Sequence, residues 1–104
     1  MKKAIRMRVF PDKHEEYKKR HDQLWPEMRE MLKSHGCTKY SIWLDKETHY
    51  LFGYLEFDDE ELFSKITDTV TNRKWWDYME DVMDTNYDNS PISIALTQVF
   101  ELSD

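Results

Sequence analysis

One cysteine, two glycines and three prolines are all that these 104 residues hold of those types. A lone Cys37 builds neither a disulfide framework nor a thiolate metal cluster. Gly36 and Gly53 alone cannot form a phosphate-cradling loop or a dinucleotide fingerprint, so ATP- and NAD-dependent chemistry is not expected. Gly-x-Ser-x-Gly is absent, and nothing near Cys37 marks a base for a nucleophile. The 15 Lys and Arg are scattered among 21 acids, for a net charge of −6. That balance, with no basic run, points away from nucleic acid. No apolar run approaches the length of a membrane span and no signal peptide is visible, so a soluble cytoplasmic protein is expected. The four histidines lack His-Glu-x-x-His or any ligand spacing, so no metal site is expected.

What is present is a globular composition, 39% hydrophobic and 35% charged, sized for one domain over residues 1–104. Such a small core leaves little pocket volume, so a second subunit is expected to close any site. Aromatics reach 14%, with four Trp. Rings in excess of what a small core covers tend to line pockets or subunit interfaces.

Alternation over residues 3–10, 38–44, 50–57 and 95–102 predicts four strands. The second and third are joined by a polar turn as an antiparallel hairpin. Asp12 and Glu15 fit a capping box opening a helix over 13–22. Pro26 lacks an N–H and disfavours helical angles at Trp25, so a break falls at 22–25 and a second helix starts on Pro26. Gly36 suits the left-handed residue that ends it. Acids at 58–61 open a further helix, residues 67–69 interrupt it, and a stronger one covers 70–82. The order strand, helix, strand, strand, helix, strand predicts an α+β, ferredoxin-like β-α-β-β-α-β fold. Large apolar or aromatic residues alternate onto both strand faces, as in Ile42 and Trp43 or Leu51 and Phe52. The second face is therefore expected to meet another subunit's sheet.

Tyr17, His21 and Trp25 recur every four residues, on one helical face. His21 is the best acid–base candidate, since imidazole gives and takes a proton near neutrality. A place at the end of a broken helix would favour its protonated form. Spacing alone nevertheless favours a packing role. Trp75 and Trp76 lie about 100° apart around a helix, where sugar C–H faces could stack on indole or the rings could fill the core. Wheel geometry favours core packing for Trp76. Tyr40 is either a ligand contact or an ordinary strand aromatic.

The segments Pro11-Asp12-Lys13-His14-Glu15-Glu16-Tyr17-Lys18-Lys19-Arg20-His21, Leu24-Trp25-Pro26-Glu27, Lys33-Ser34-His35-Gly36, Tyr40-Ser41-Ile42, Arg73-Lys74-Trp75-Trp76-Asp77-Tyr78-Met79 and Asp88-Asn89-Ser90-Pro91 resemble the L-rhamnose mutarotase family. The resemblance runs through nearly the whole chain in order. It implies a ferredoxin-like subunit paired sheet to sheet as a homodimeric α/β barrel. It also implies cofactor-free interconversion of the α and β anomers of L-rhamnose. By motif, His21 is the implied proton donor, and Tyr17, Tyr40, Trp75 and Trp76 the implied substrate contacts. Residues 84–87 fit the family less well than their flanks and are expected to shape substrate choice. The second proton carrier is Tyr17, a water or a substrate hydroxyl. Rival readings are a small dimeric α/β-barrel monooxygenase or haem-binding protein, and a non-enzymatic sugar-binding or scaffold domain.

Overall fold

The computed structural model describes residues 1–103. Its elements are β1 (Lys2–Arg8), α1 (His14–Asp22), α2 (Pro26–Ser34), β2 (Cys37–Leu44), β3 (Tyr50–Phe57), α3 (Glu60–Ser64), a 3₁₀ turn (Lys65–Asp68), α4 (Val70–Met79) and β4 (Ile94–Ala95). The strands form one antiparallel sheet in the order β2-β3-β1-β4. This is the α+β, ferredoxin-like arrangement that the sequence pattern predicts.

Proline and glycine act where their backbone chemistry requires. Pro26 is the first residue of α2, and Trp25 before it is extended at φ −57°, ψ 135°. Gly36 sits at φ +84° between α2 and β2, a conformation that side chains with a Cβ resist. Gly53 answers a different need. A Cβ there would meet Ile5 Cγ1 at 3.1 Å, on the strand paired beside it. Along β3 the buried positions alternate as Leu51, Gly53, Leu55 and Phe57. Leu51 joins a core with Met7, Val9, Met28, Met31, Trp75, Met79, Val82 and Met83, while Phe57 stacks on Phe63 of α3 at 4.3 Å.

Three local expectations give way to tertiary contacts. The capping box does not form: the helix begins one residue late, Lys13 is its N-cap, and no side chain caps it. Asp12 therefore lies one position too early. The α4 helix stops at Met79 rather than continuing to residue 82. Val82 is instead fully buried, and its carbonyl accepts from the Phe10 N–H at 2.9 Å, while Met83 bridges Val9. The final strand pairs only at Ile94 and Ala95, with one further bond from Leu96 N–H to the Ala4 carbonyl. The ladder stops there although Lys3 and Lys2 of β1 lie opposite the next residues, so alternation alone does not set the length of the strand. Beyond it Val99, Phe100 and Leu102 are 92%, 75% and 85% exposed.

The expected break at 67–69 is the 3₁₀ turn. Thr69 then caps α4, its Oγ1 accepting from the Asn72 N–H at 3.2 Å.

Candidate active site

Between the helices and the inner face of the sheet lies an open cavity of about 1390 Å³. Tyr17 and His21 reach it from α1, Tyr40 from β2, and Trp75 and Trp76 from α4. All five residues singled out from the sequence thus line one space, though they come from three elements. Ile42, Met28, Leu32, Leu51 and Met79 supply apolar wall, and Asn72, Asn86, Asn89 and Ser90 add neutral polar groups. A smaller depression of about 520 Å³ along the charged side of α1 holds none of the aromatic groups.

His21 is held on one side. Its Nδ1 lies 3.0 Å from the Tyr17 carbonyl oxygen. A carbonyl only accepts, so Nδ1 carries the proton and a neutral ring presents Nε2 as an acceptor. The Tyr17 ring lies against the imidazole at 4.4 Å between centroids, and Trp75 meets it edge-on at 5.4 Å and 87°. Burial lowers the His21 pKa below 6.5; the hydrogen bond to the Tyr17 carbonyl and the Asp22 charge oppose that shift without overcoming it. The expectation that the helix end would favour the protonated form is therefore corrected. The dipole effect is confined to the last turn and is screened by solvent, whereas burial acts on the ring itself.

The neighbouring Arg20 fixes where this turn of helix sits. Its guanidinium donates to Glu16 Oε2 at 2.8 Å, Asp81 Oδ1 at 2.8 Å and the Tyr78 carbonyl at 2.6 Å. It also lies over the Tyr78 ring at 4.4 Å. These contacts tie α1 to the end of α4 directly beside His21 and Trp75.

The two tyrosines keep their protons. Tyr17 is 7% exposed, and burial pushes its phenol above the usual range, with Tyr40 adding a smaller electrostatic contribution. Tyr40 is 41% exposed as a residue, yet burial raises its phenol to about 12. Tyr40 lines the open cavity, where helices and sheet crowd it without closing over it. Each phenol is thus available as a hydrogen-bond donor.

The two tryptophans differ in a way opposite to the wheel expectation. Trp75 is the buried one, at 7% exposure, packed edge-on against Trp25 at 5.0 Å and beside Tyr78 at 5.6 Å. Trp76 is half-buried and has the Arg73 guanidinium 5.3 Å from its ring centroid. Helical spacing gives their relative angle, but which side faces the core depends on how α4 packs on α2 and the sheet.

Other groups escape sequence reading. Asn72 lies one turn before the tryptophan pair, as buried as Trp75, and its residue type gave no signal. The 84–91 loop reaches the cavity through a local network. Asn86 Nδ2 donates to Ser90 Oγ at 3.0 Å, and Asn89, at φ +69°, donates to Asp77 Oδ1 at 3.0 Å. Its turn-rich composition was legible, but its destination was not. His14 and His49 are 35 residues apart, yet Nε2 of one and Nδ1 of the other approach to 2.9 Å. Among the described residues, no three or more His, Cys, Asp or Glu side chains gather to hold a metal ion. No helix there is long and apolar enough to cross a membrane.

Comparison with known proteins covers the whole of this architecture. Residues 2–102 match the family model for L-rhamnose mutarotase. The chain is 57% identical to the L-rhamnose mutarotase of Enterococcus faecalis, across 98% of this chain and 99% of that one. Its fold superposes on the crystal structure of an L-rhamnose mutarotase from Formosa agariphila with a TM-score of 0.90 at 39% identity, covering 99% of both chains. A putative antibiotic biosynthesis monooxygenase from Nitrosomonas europaea shares the fold at a TM-score of 0.63, covering 95% of this chain and 98% of that one. At 13% identity that likeness extends to the fold alone. The chain belongs to the L-rhamnose mutarotase family.

Proposed function

We propose that this protein interconverts the α and β anomers of L-rhamnose without a cofactor, with His21 as the proton donor. One observation carries the reading. In a chain of this family, a histidine whose Nδ1 is committed to a carbonyl stands in one cavity with two protonated phenols and two indoles.

Ring opening requires a proton on the ring oxygen and loss of one from the anomeric hydroxyl. Burial leaves His21 neutral at rest, so Nε2 first accepts the anomeric proton. The carbonyl forms, the bond from the anomeric carbon to the ring oxygen breaks, and the imidazolium donates to that oxygen. Rotation about the next carbon–carbon bond and closure on the opposite carbonyl face reverse both transfers. Both oxygens are bonded to the same carbon in the closed ring, so one imidazole nitrogen serves them in turn. The lowered pKa makes the imidazolium a stronger acid for the second step. Tyr17 and Tyr40 donate hydrogen bonds to sugar oxygens. Trp76 offers a partly open ring face to the sugar's C–H groups, and Trp75 contacts substrate while bracing His21.

The working unit in this reading is a homodimer of one-domain subunits, each domain spanning the chain. The outer face of the sheet carries Trp43, Phe52, Tyr54 and Tyr50 with no helix over it, and Trp43 is 69% exposed. The exposed apolar C-terminal segment extends the same demand for a partner. Free, buried Cys37 suits a reducing cytoplasm.

Saturation-transfer NMR on L-rhamnose, L-fucose and L-lyxose tests the activity. Accelerated exchange of the L-rhamnose anomeric signals, exceeding that of the other two sugars, is expected. Exchange at the buffer rate would overturn the assignment.

A further inference from the structure

We propose that the side-chain amide of Asn72 binds a hydroxyl group of the sugar, as a specificity-determining contact additional to the tyrosines and tryptophans. This deepens the mutarotase reading and rests on it. Asn72 is 5% exposed, lines the cavity, and its buried Nδ2 has no hydrogen-bond partner among the described residues. Natural structures rarely leave such a group unpaired. Helix propensity does not explain it either, since asparagine is a poor helix former. Its capping contribution is made by the backbone N–H, which donates to Thr69 Oγ1 at 3.2 Å, and any residue but proline supplies that N–H.

Placement points to the sugar. Asn72 and Trp75 are i and i+3 on α4, and Trp76 is i+4, so all three sit on one side of the helix within about 6 Å of rise. A monosaccharide against the indoles would lie within reach of the amide. A hydroxyl both donates and accepts, so it satisfies the amide in either orientation of its N and O. A neutral amide beside two indoles matches a neutral polyol and itself offers no charge to an anion or a cation.

The test compares wild type with Asn72→Leu, which is nearly isosteric, and with Asn72→Ser, which keeps a hydrogen-bonding group in case the first misfolds. Affinity for L-rhamnose and its 2-, 3- and 4-deoxy analogues is read by tryptophan fluorescence, anomer exchange by NMR, and Tm by thermal melt. Expected for Asn72→Leu is a higher Tm together with about 3- to 10-fold weaker L-rhamnose binding, the size of one net hydrogen bond. One deoxy analogue that wild type binds less well should be bound by Asn72→Leu as well as L-rhamnose itself, the non-additivity that marks a direct contact. Asn72→Ser should retain part of the discrimination. Unchanged affinity and an unchanged analogue pattern in Asn72→Leu, or in Asn72→Ser if the first does not fold, overturn the proposal while leaving the mutarotase reading intact. A wild type that neither binds nor exchanges L-rhamnose removes the underlying reading, and this contact with it.

Discussion

On the inner face of the sheet, Ile42, Gly53 and Ile5 form one row across β2, β3 and β1; on the outer face the next row is Trp43, Phe52 and Arg6. The rows differ by a single residue along each strand. The inner row is aliphatic, small at its centre and covered by helices, with a cavity left between. The outer rows are aromatic and cationic: the Arg6 guanidinium lies 4.3 Å from the Tyr50 ring centroid and Lys39 Nζ lies 5.9 Å from that of Tyr54. Period-two geometry thus lets the same three strands present two chemistries. The inner face borders the cavity that brings His21, the two tyrosines and the two indoles together. The outer face presents flat rings with charges laid over them, which suits another protein surface better than water.

The largest effect that would break this division is at His21. Replacing it by alanine should slow anomer exchange by about 10²- to 10⁴-fold, the usual contribution of one general acid–base group. Saturation-transfer NMR measures it, and a rate equal to wild type would move the chemistry elsewhere. An intact outer face should leave assembly of that variant unchanged.

Next in size is the outer face. Trp43→Glu places a charge at the most exposed ring of that surface. In light scattering or sedimentation, wild type should run at twice the chain mass and the variant at the single mass, with dimer association weakened at least roughly 30-fold as expected for a disrupted interface anchor. A monomeric wild type would sink the dimer while sparing the inner site.

A smaller effect separates the two tryptophans. Trp76→Ala should raise KM for L-rhamnose several-fold, consistent with about 0.5–1.5 kcal/mol for an aromatic contact, with little change in Tm. Trp75→Ala should instead lower Tm, because Trp75 is the core member of the pair; removing a buried aromatic costs about 3–5 kcal/mol. Equal Tm losses in both would erase the distinction drawn between them.

The smallest effect is in pH. The folded His21 pKa lies below its ordinary value, so the unfolded chain takes up its proton first as pH falls. This group's contribution therefore favours folding above about 6.5, the unfolded value, and is lost progressively as pH drops from there through the folded pKa. Urea melts between pH 7.5 and 5 should show that loss, reduced in His21→Gln. The acid limb of the exchange rate should likewise have its midpoint below 6.5. A midpoint above that value would mean that the resting histidine is protonated.

How much of this was legible beforehand depends on whether a residue's role is local. Pro26 and Gly36 act through their own backbone angles, and both sit where the sequence puts them. The alternation of β3 was readable to the residue because burial there has period two. The candidate site was only half legible. Residue chemistry left His21 between acid and packing and Tyr40 undecided; family motifs nominated the five residues that line the cavity. Asn72, Asn86 and the meeting of His14 with His49 carry no local signature, since each depends on chain segments far apart in sequence. The Trp75 and Trp76 roles were reversed for the same reason.

By itself, then, the sequence determined the order of elements, the break before Pro26, the alternation that gives the sheet two faces, and the residue types able to do proton chemistry. Those follow from backbone sterics and short-range periodicity. Only the tertiary structure decided that His21 rests neutral, that Trp75 rather than Trp76 joins the core, that the last strand is two residues long, and that an unpaired amide lines the cavity wall. Burial and hydrogen-bond pairing decide those, and both are set by atoms that approach only when the helices close over the sheet.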